Sequence, residues 1–389
     1  MKNRLDELDS LRGLAALTVV AHHYLLIFPF IWNNTFQDKE YAVLNLVKYS
    51  PIHLFFAGHE AVILFFVLSG FVLSLPYLKN TNMTYSSYLI KRFLRLYIPY
   101  SISVLIATFL YVSFSNGLIH NLSDWFNNIW VLPIQLSNFI QHFTMLGSFN
   151  NSVINPIYWS LIHEMRISII FPVILYFIIK HNWKLTLIVS FIWCSSAFVL
   201  TNKLNAFNQT DYLMTIYYLF MFIVGALLAK HKNVFLQFFS ERSVGMKLII
   251  MICAVLLYTA RWWGYSFQLM HNIIITDFLT MFGSTIMIVI SIGSKRIKNI
   301  LLMKPINFIG KISYSLYLYH CVTLLTFCHW LQYKIGYLFI LVLSFVCAMI
   351  LATISYYCIE KPSIRLGKIL VRKYSSPAIK NDLSIKLKK

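Results

Sequence analysis

Two residues near the start of the chain carry the first chemical suggestion. In LDSLRGLAALTVVAHHYLLIF (8–28), Arg12 and His23 are separated by ten residues, most of them small and apolar. On a helix, His23 lies about 16 Å beyond Arg12 along the axis. If Arg12 marks one surface of a membrane, His23 sits near the middle of a hydrocarbon core about 30 Å thick, where an ionisable group is expensive to keep without a function. A histidine satisfied by a neighbouring helix, with Arg12 snorkelling to the surface, is the plainer account of the same residues.

WSLIHEMR (159–166) places Glu164 about 10 Å below Ile157, at a depth comparable with His23. A carboxylate there requires a partner, and His23 and Arg166 are the candidates. Glu164 and Arg166 are two residues apart, so they point to nearly opposite faces and must each find a partner on another helix. A glutamate that orients a histidine is an acid–base arrangement, and a buried structural ion pair is the alternative. Ser313, Tyr317 and His320 form one stripe in SYSLYLYH (313–320). His320 is placed to hydrogen-bond a bound substrate or tune the site, or else to be a satisfied core histidine. Arg92 and Arg95 in KRFLR (91–95) share a face at i, i+3 and suit phosphate, although cations at a helix entrance also follow from membrane topology alone. Neither His59–Glu60 nor His163–Glu164 continues as HExxH, so no zinc site is expected. No G-x-S-x-G elbow or phosphate-cradling GxxxxGK[ST] is present, which argues against an α/β-hydrolase and an ATP-driven pump.

The elements that must position these residues are transmembrane helices. Of 389 residues, 59% are hydrophobic and 12% charged, a composition foreign to soluble domains. Ten apolar segments are long enough, or nearly so, to span: roughly 11–31, 54–75, 96–115, 157–179, 184–201, 211–229, 246–263, 272–293, 312–331 and 335–359. The fold class expected is an all-α integral membrane protein with both termini on one side. With the N-terminus cytoplasmic, 27 of the 33 Lys and Arg residues fall on inside segments and 5 on outside loops, with Arg166 alone inside a span. That asymmetry orients the chain in a plasma or inner membrane, N- and C-termini cytoplasmic. It also accounts for the net charge of +20, which faces anionic headgroups rather than nucleic acid. The six cysteines lie in apolar segments without a CxxC and are expected to be packing residues. No cleavable signal peptide is expected.

The loop 116–156 has no Lys or Arg and carries Trp125, Phe126, Trp130, Phe139 and Phe143, with an amphipathic stretch from Ile134 to Leu146. It is expected to lie outside, either along the interface as an aromatic belt or over an external substrate as a lid or floor, and both can hold together. Residues 1–375 are expected to form one transmembrane domain, 376–389 a basic cytoplasmic tail, with no fused extracytoplasmic domain.

Taken in order, LDSLRGLAAL with His23, FFVLSGFVLS (65–74), KRFLRLYIP (91–99), NPIYWSLIHEMRISIIFP (155–172), GKISYSLYLYH (310–320) and IEKP (359–362) resemble the landmarks of the acyltransferase-3 family of integral membrane acyltransferases. The resemblance runs from about Leu8 to Pro362. It implies transfer of an acyl group, usually acetyl, from cytoplasmic acyl-CoA (acetyl-CoA) to a hydroxyl of an extracytoplasmic glycan or lipid-linked sugar. Carried over by position, His23 would be the catalytic histidine and Arg12 its motif partner, with Arg92 and Arg95 near the donor. Glu164 would join His23 as a catalytic candidate and His320 the donor-binding set. Some members carry a fused esterase-like domain; without one, this chain would transfer directly or with a separate extracytoplasmic protein. His23 would act as general base or as acyl carrier. The competing class is a proton-coupled sugar or lipid transporter or flippase, which ten spans with intramembrane His and Glu would suit, although no inverted repeat is visible. A non-catalytic membrane scaffold is the third class, and it would tolerate loss of His23.

Overall fold

The structure, a computed structural model, describes residues 5–32, 42–79, 84–131, 133–204 and 208–374. Among these residues every regular element is helical. Each of the ten apolar segments coincides with a helix: α1 (Asp6–Leu26), α2 (Gly58–Leu78), α3 (Tyr85–Phe114), α4 (Tyr158–Lys180), α5 (Trp183–Lys203), α6 (Tyr212–Lys230), α7 (Val244–Tyr258), α8 (Ile273–Gly293), α9 (Lys304–Leu331) and α10 (Tyr337–Ser355). A π-turn at Tyr356–Glu360 carries α10 into α11 (Lys361–Tyr374). The basic tail expected from 376 lies outside the described residues.

Among the described residues seven helices are long and apolar enough to cross a membrane: α2, α3, α4, α5, α6, α8 and the run through α10. This is a multi-pass membrane protein. α7 is shorter, and α1 and α9 are the more polar ones. The reason is packing. α9 is buried almost continuously from Ser315 to His329 and α1 lies against it and α2, so neither must satisfy lipid on all sides. α5, by contrast, buries only Ser190, Cys194, Ala197 and Thr201. Polar side chains are tolerated where other helices surround them.

Two boundaries differ usefully from the sequence expectation. α3 starts at Tyr85, its end capped by the Thr84 hydroxyl accepting from the Ser87 amide, so Arg92 and Arg95 are on the helix rather than ahead of it. α9 starts at Lys304, which brings Gly310 inside the helix.

That glycine sets the central crossing. A Cβ on Gly13 would lie 2.5 Å from the Gly310 amide nitrogen, and one on Gly310 would lie 2.6 Å from the Asp9 carbonyl oxygen. Only glycine at both positions lets α1 and α9 touch backbone to backbone. Both helices leave this crossing in the same direction. His23 and His320 each lie ten residues beyond their glycine, about 15 Å along the axis, and so arrive at the same height.

The loop between α3 and α4 folds over the end of the bundle where α1 finishes. The Ser123 amide donates to the Ile27 carbonyl at 2.9 Å and its hydroxyl to the Leu26 carbonyl. Phe126 and Trp130 are buried, and the Trp130 indole N–H donates to the Ile154 carbonyl at 2.9 Å. The amphipathic stretch forms a helix at Leu136–Thr144, with Leu136 and Ile140 exposed and His142 buried. The loop is therefore a docked cap carrying an amphipathic helix, not only a belt.

Candidate active site

The residues with chemical promise divide between two levels of the bundle. At the end bearing most of the cations (the basic end) a cavity of about 590 Å³ opens between α1, α2, α3, α4, α9 and α11. Arg12, Arg92 and Arg95 all line it, together with Glu164. The three arginines expected to hold an anionic donor are thus brought to one cavity. Lys311 and three cations of α11 join them, giving seven basic against three acidic side chains, the latter being Asp9, Glu164 and Glu360. Such a cavity favours anions.

Within it, Arg92 has two partners on α4. Its guanidinium pairs with the Glu164 carboxylate and donates from Nε to the Ser168 hydroxyl at 2.9 Å. The Ser69 hydroxyl also donates to Glu164, at 3.0 Å. Arg12 lies 3.6 Å from Asp9, one turn away on α1. Glu360, re-aimed by the π-turn, accepts from the Ser315 hydroxyl at 2.8 Å.

This pairing corrects the expected partners of Glu164. Neither His23 nor Arg166 reaches it; Arg92, 72 residues upstream, does. The opposite-face argument for Glu164 and Arg166 holds, and Arg166 turns instead to the cap. It donates to the carbonyls of Leu146, Gly147 and Thr210 at 2.8–3.0 Å and to the Thr215 hydroxyl at 2.7 Å. Its ring partner is Tyr212, 4.3 Å from the guanidinium carbon. Arg166 is a clamp between loop and α6.

On its inward side the cavity is lined by Val62, Phe65, Ser160 and Tyr317. The Ser160 and Tyr317 hydroxyls lie 2.7 Å apart, and the Phe65 ring meets the Tyr317 ring edge-on at 5.8 Å. One turn further along α9, beyond the cavity lining, is the second level. His23 Nδ1 lies 3.0 Å from His320 Nε2, and Trp125 of the cap stacks on the His23 ring at 5.4 Å. Glu164 is about 6 Å below Ser160 and His320 about 5 Å above Tyr317, so glutamate and histidine pair are separated by about 10 Å of helix rise. His320, expected with the donor-binding residues, therefore sits with His23 and not on the cavity wall.

The histidine pair has a definite proton order. His320 Nδ1 lies 3.1 and 2.8 Å from the carbonyls of Leu316 and Tyr317, and a carbonyl only accepts. In the neutral ring Nδ1 thus carries the proton and Nε2 the lone pair. His23 must then donate from Nδ1, which leaves the lone pair of His23 on Nε2. His320 is fully buried and His23 only partly so. A buried imidazole accordingly dictates the tautomer of an accessible one. Substituting His320 by Phe removes the acceptor while keeping an aromatic ring. The expected result is a loss of turnover on the order of 10- to 100-fold, with an altered pH profile; a Gln at 320, whose amide oxygen can accept, is expected to restore part of it. Turnover of each variant across pH checks this.

At the capped end, His59 and Glu60 also find partners that no local spacing announces. His59 Nε2 lies 2.8 Å from Asp277, whose other oxygen accepts from the Tyr217 hydroxyl, and Glu60 accepts from the Trp262 indole N–H at 2.7 Å. They tie α2 to α6, α8 and the segment after α7.

A family model described as an acyltransferase domain matches residues 5–357 of the 389. The chain belongs to the acyltransferase-3 family. The match takes in the histidine pair, Arg12, Arg92, Arg95 and Glu164 and all ten helices up to the π-turn, and it makes this protein a membrane acyltransferase. It gives no support to the carrier reading. Searches of curated proteins and of solved structures found no match. For this acyltransferase the landmark residues are now in space. Sequence spacing alone had a usable signal for the histidine pair, since Gly13–His23 and Gly310–His320 share one offset. The cations of α11 carried no such signal, because nothing local says which face turns inward.

Proposed function

We propose that this acyltransferase moves an acyl group, with acetyl as the expected one, from acyl-CoA in the basic-end cavity to a hydroxyl of a glycan or lipid-linked sugar at the capped end. The basic end faces the cytoplasm of a plasma or inner membrane in this reading, which the Lys and Arg distribution supports. The observation that carries the reading is the lone pair left on His23 Nε2 by the His320 relay, one helical turn beyond an anion-attracting cavity. The cations hold the phosphates of the donor, and the thioester arm points inward past Tyr317. His23 Nε2 takes the proton from the acceptor hydroxyl as its oxygen attacks the thioester carbonyl; the C–S bond breaks and the CoA thiolate leaves, taking up a proton on release. Trp125 and the cap shield the reaction from bulk water and offer an aromatic face to a sugar ring.

A second route is supported by the position of His23 and His320 beyond the cavity lining. Donor and acceptor need not meet if His23 Nε2 first attacks the thioester carbonyl, the C–S bond breaks and the CoA thiolate leaves and takes up a proton; the acceptor hydroxyl then attacks the acyl-imidazole, the C–N bond breaks, and the hydroxyl proton is released as the histidine is regenerated. One experiment tests the function and separates the routes. Purified full-length protein is given [14C]acetyl-CoA, with and without a glycan acceptor fraction from the cell envelope. Base-labile label on the glycan is the expected result. Label that stays on His23 when acceptor is withheld selects the carrier route. Unlabelled acceptor and unlabelled protein with every envelope fraction would count against the reading.

A further inference from the structure

α11 lies beyond the last residue of the family match, Tyr357, yet it forms a wall of the cavity. Its residues fall on three faces. Ser363, Gly367 and Val371 are buried, and Gly367 is packed against the start of α3 beside Lys91 and Leu94. Leu366 and Ile369 are exposed and apolar. Lys361, Arg365 and Lys368, at i, i+4 and i+7, form the third face and line the cavity. A helix that only held anionic lipid would turn its cations to the headgroups beside its apolar stripe. Here they turn to the cavity, on the side of Arg12 and Arg95. No carboxylate among the described residues lies within ion-pair distance of Arg365 or Lys368. Arg92, deeper in, is already neutralised by Glu164.

We propose that α11 is the outer wall of the donor site and that Arg365 and Lys368 bind the 3′-phosphate of CoA. The proposal rests on acyl-CoA being the donor. A donor whose thioester points inward toward His23 leaves its nucleotide end at the mouth, where these exposed cations stand. The 3′-phosphate is the phosphate furthest from the thioester, and an arginine fork beside a lysine suits a terminal phosphate. Matching anionic charge could also come from a lipid headgroup, so the test separates the two.

The full chain is reconstituted in nanodiscs of phosphatidylcholine alone and of phosphatidylcholine with phosphatidylglycerol. Affinities for CoA and for 3′-dephospho-CoA are measured for the unaltered chain and for R365Q/K368Q. The expected result is CoA affinity lowered on the order of 10- to 100-fold by the double substitution in both lipids, with dephospho-CoA bound equally by both proteins. Equal loss for both ligands would overturn the 3′-phosphate assignment. A loss seen only with phosphatidylglycerol would assign the cations to headgroups instead. If the unaltered chain binds neither ligand, the donor reading itself falls, whereas tight CoA binding that the substitutions leave untouched overturns the role of α11 alone.

Discussion

Replacing His23 by asparagine lowers acyl transfer on the order of 10²- to 10⁴-fold, the range expected for loss of a positioned acid–base group, and leaves CoA affinity within about 3-fold. Asparagine is the informative choice. Its side-chain amide can still donate toward His320 Nε2, so the buried acceptor keeps a partner, but it has no lone pair able to take a proton at the Nε2 position. His23→Ala removes both and leaves His320 Nε2 unsatisfied, which adds a stability cost of about 1–3 kcal/mol. The two variants together separate chemistry from packing: a fall in transfer common to both is chemistry, and a fall in thermal midpoint in the alanine variant alone is packing. Donor binding is spared because His23 lies outside the cavity that holds the arginines. An asparagine variant retaining a tenth or more of the wild-type rate would remove the histidine from the proton transfer.

The second large effect concerns Arg92 and Glu164. Removing either partner alone, by Arg92→Met or Glu164→Leu, is expected to destabilise the protein by about 3–5 kcal/mol, because a buried charge is left without its counter-ion. Both side chains are well covered, at 9% and 18% exposed, so solvent screening takes little from this figure. The double variant is expected to be more stable than either single one, since an apolar pair of similar volume carries no desolvation penalty. Thermal midpoints in detergent, measured for the four proteins as a cycle, check this directly. CoA affinity is the independent readout. If the pair serves only to brace α3 against α4, the double variant binds CoA as the wild type does. If Arg92 also meets the donor, the double variant regains stability without regaining affinity.

Much of this protein is written in local pattern. Apolar runs mark all ten helices, seven of which, among the described residues, are long and apolar enough to span, because a backbone in lipid must satisfy its hydrogen bonds within each segment. The gathering of Arg12, Arg92 and Arg95 in one cavity follows from cations sharing one end of the bundle. The amphipathic stretch of the cap is visible as periodicity and is a helix at Leu136–Thr144. The equal Gly-to-His offsets in α1 and α9 are also present in the sequence, although they acquire meaning only once the two glycines are known to touch.

Tertiary structure alone decided who meets whom. Periodicity tells which residues share a face of one helix; it does not tell which faces of different helices meet, nor at what relative height. For that reason local pattern points Glu164 to His23 or Arg166, whereas it pairs with Arg92, and points His320 to the donor, whereas it lies against His23. Arg166 found backbone carbonyls of the cap, acceptors that every residue carries and no side-chain pattern marks. The inward turn of Lys361, Arg365 and Lys368 depends on Gly367 lying against α3. Composition and spacing determined the membrane class, the helices and the inventory of reactive groups, since these are properties of single segments. Pairing, tautomer and the separation of cavity from histidine came from the backbone crossing at Gly13 and Gly310, a contact between segments 297 residues apart.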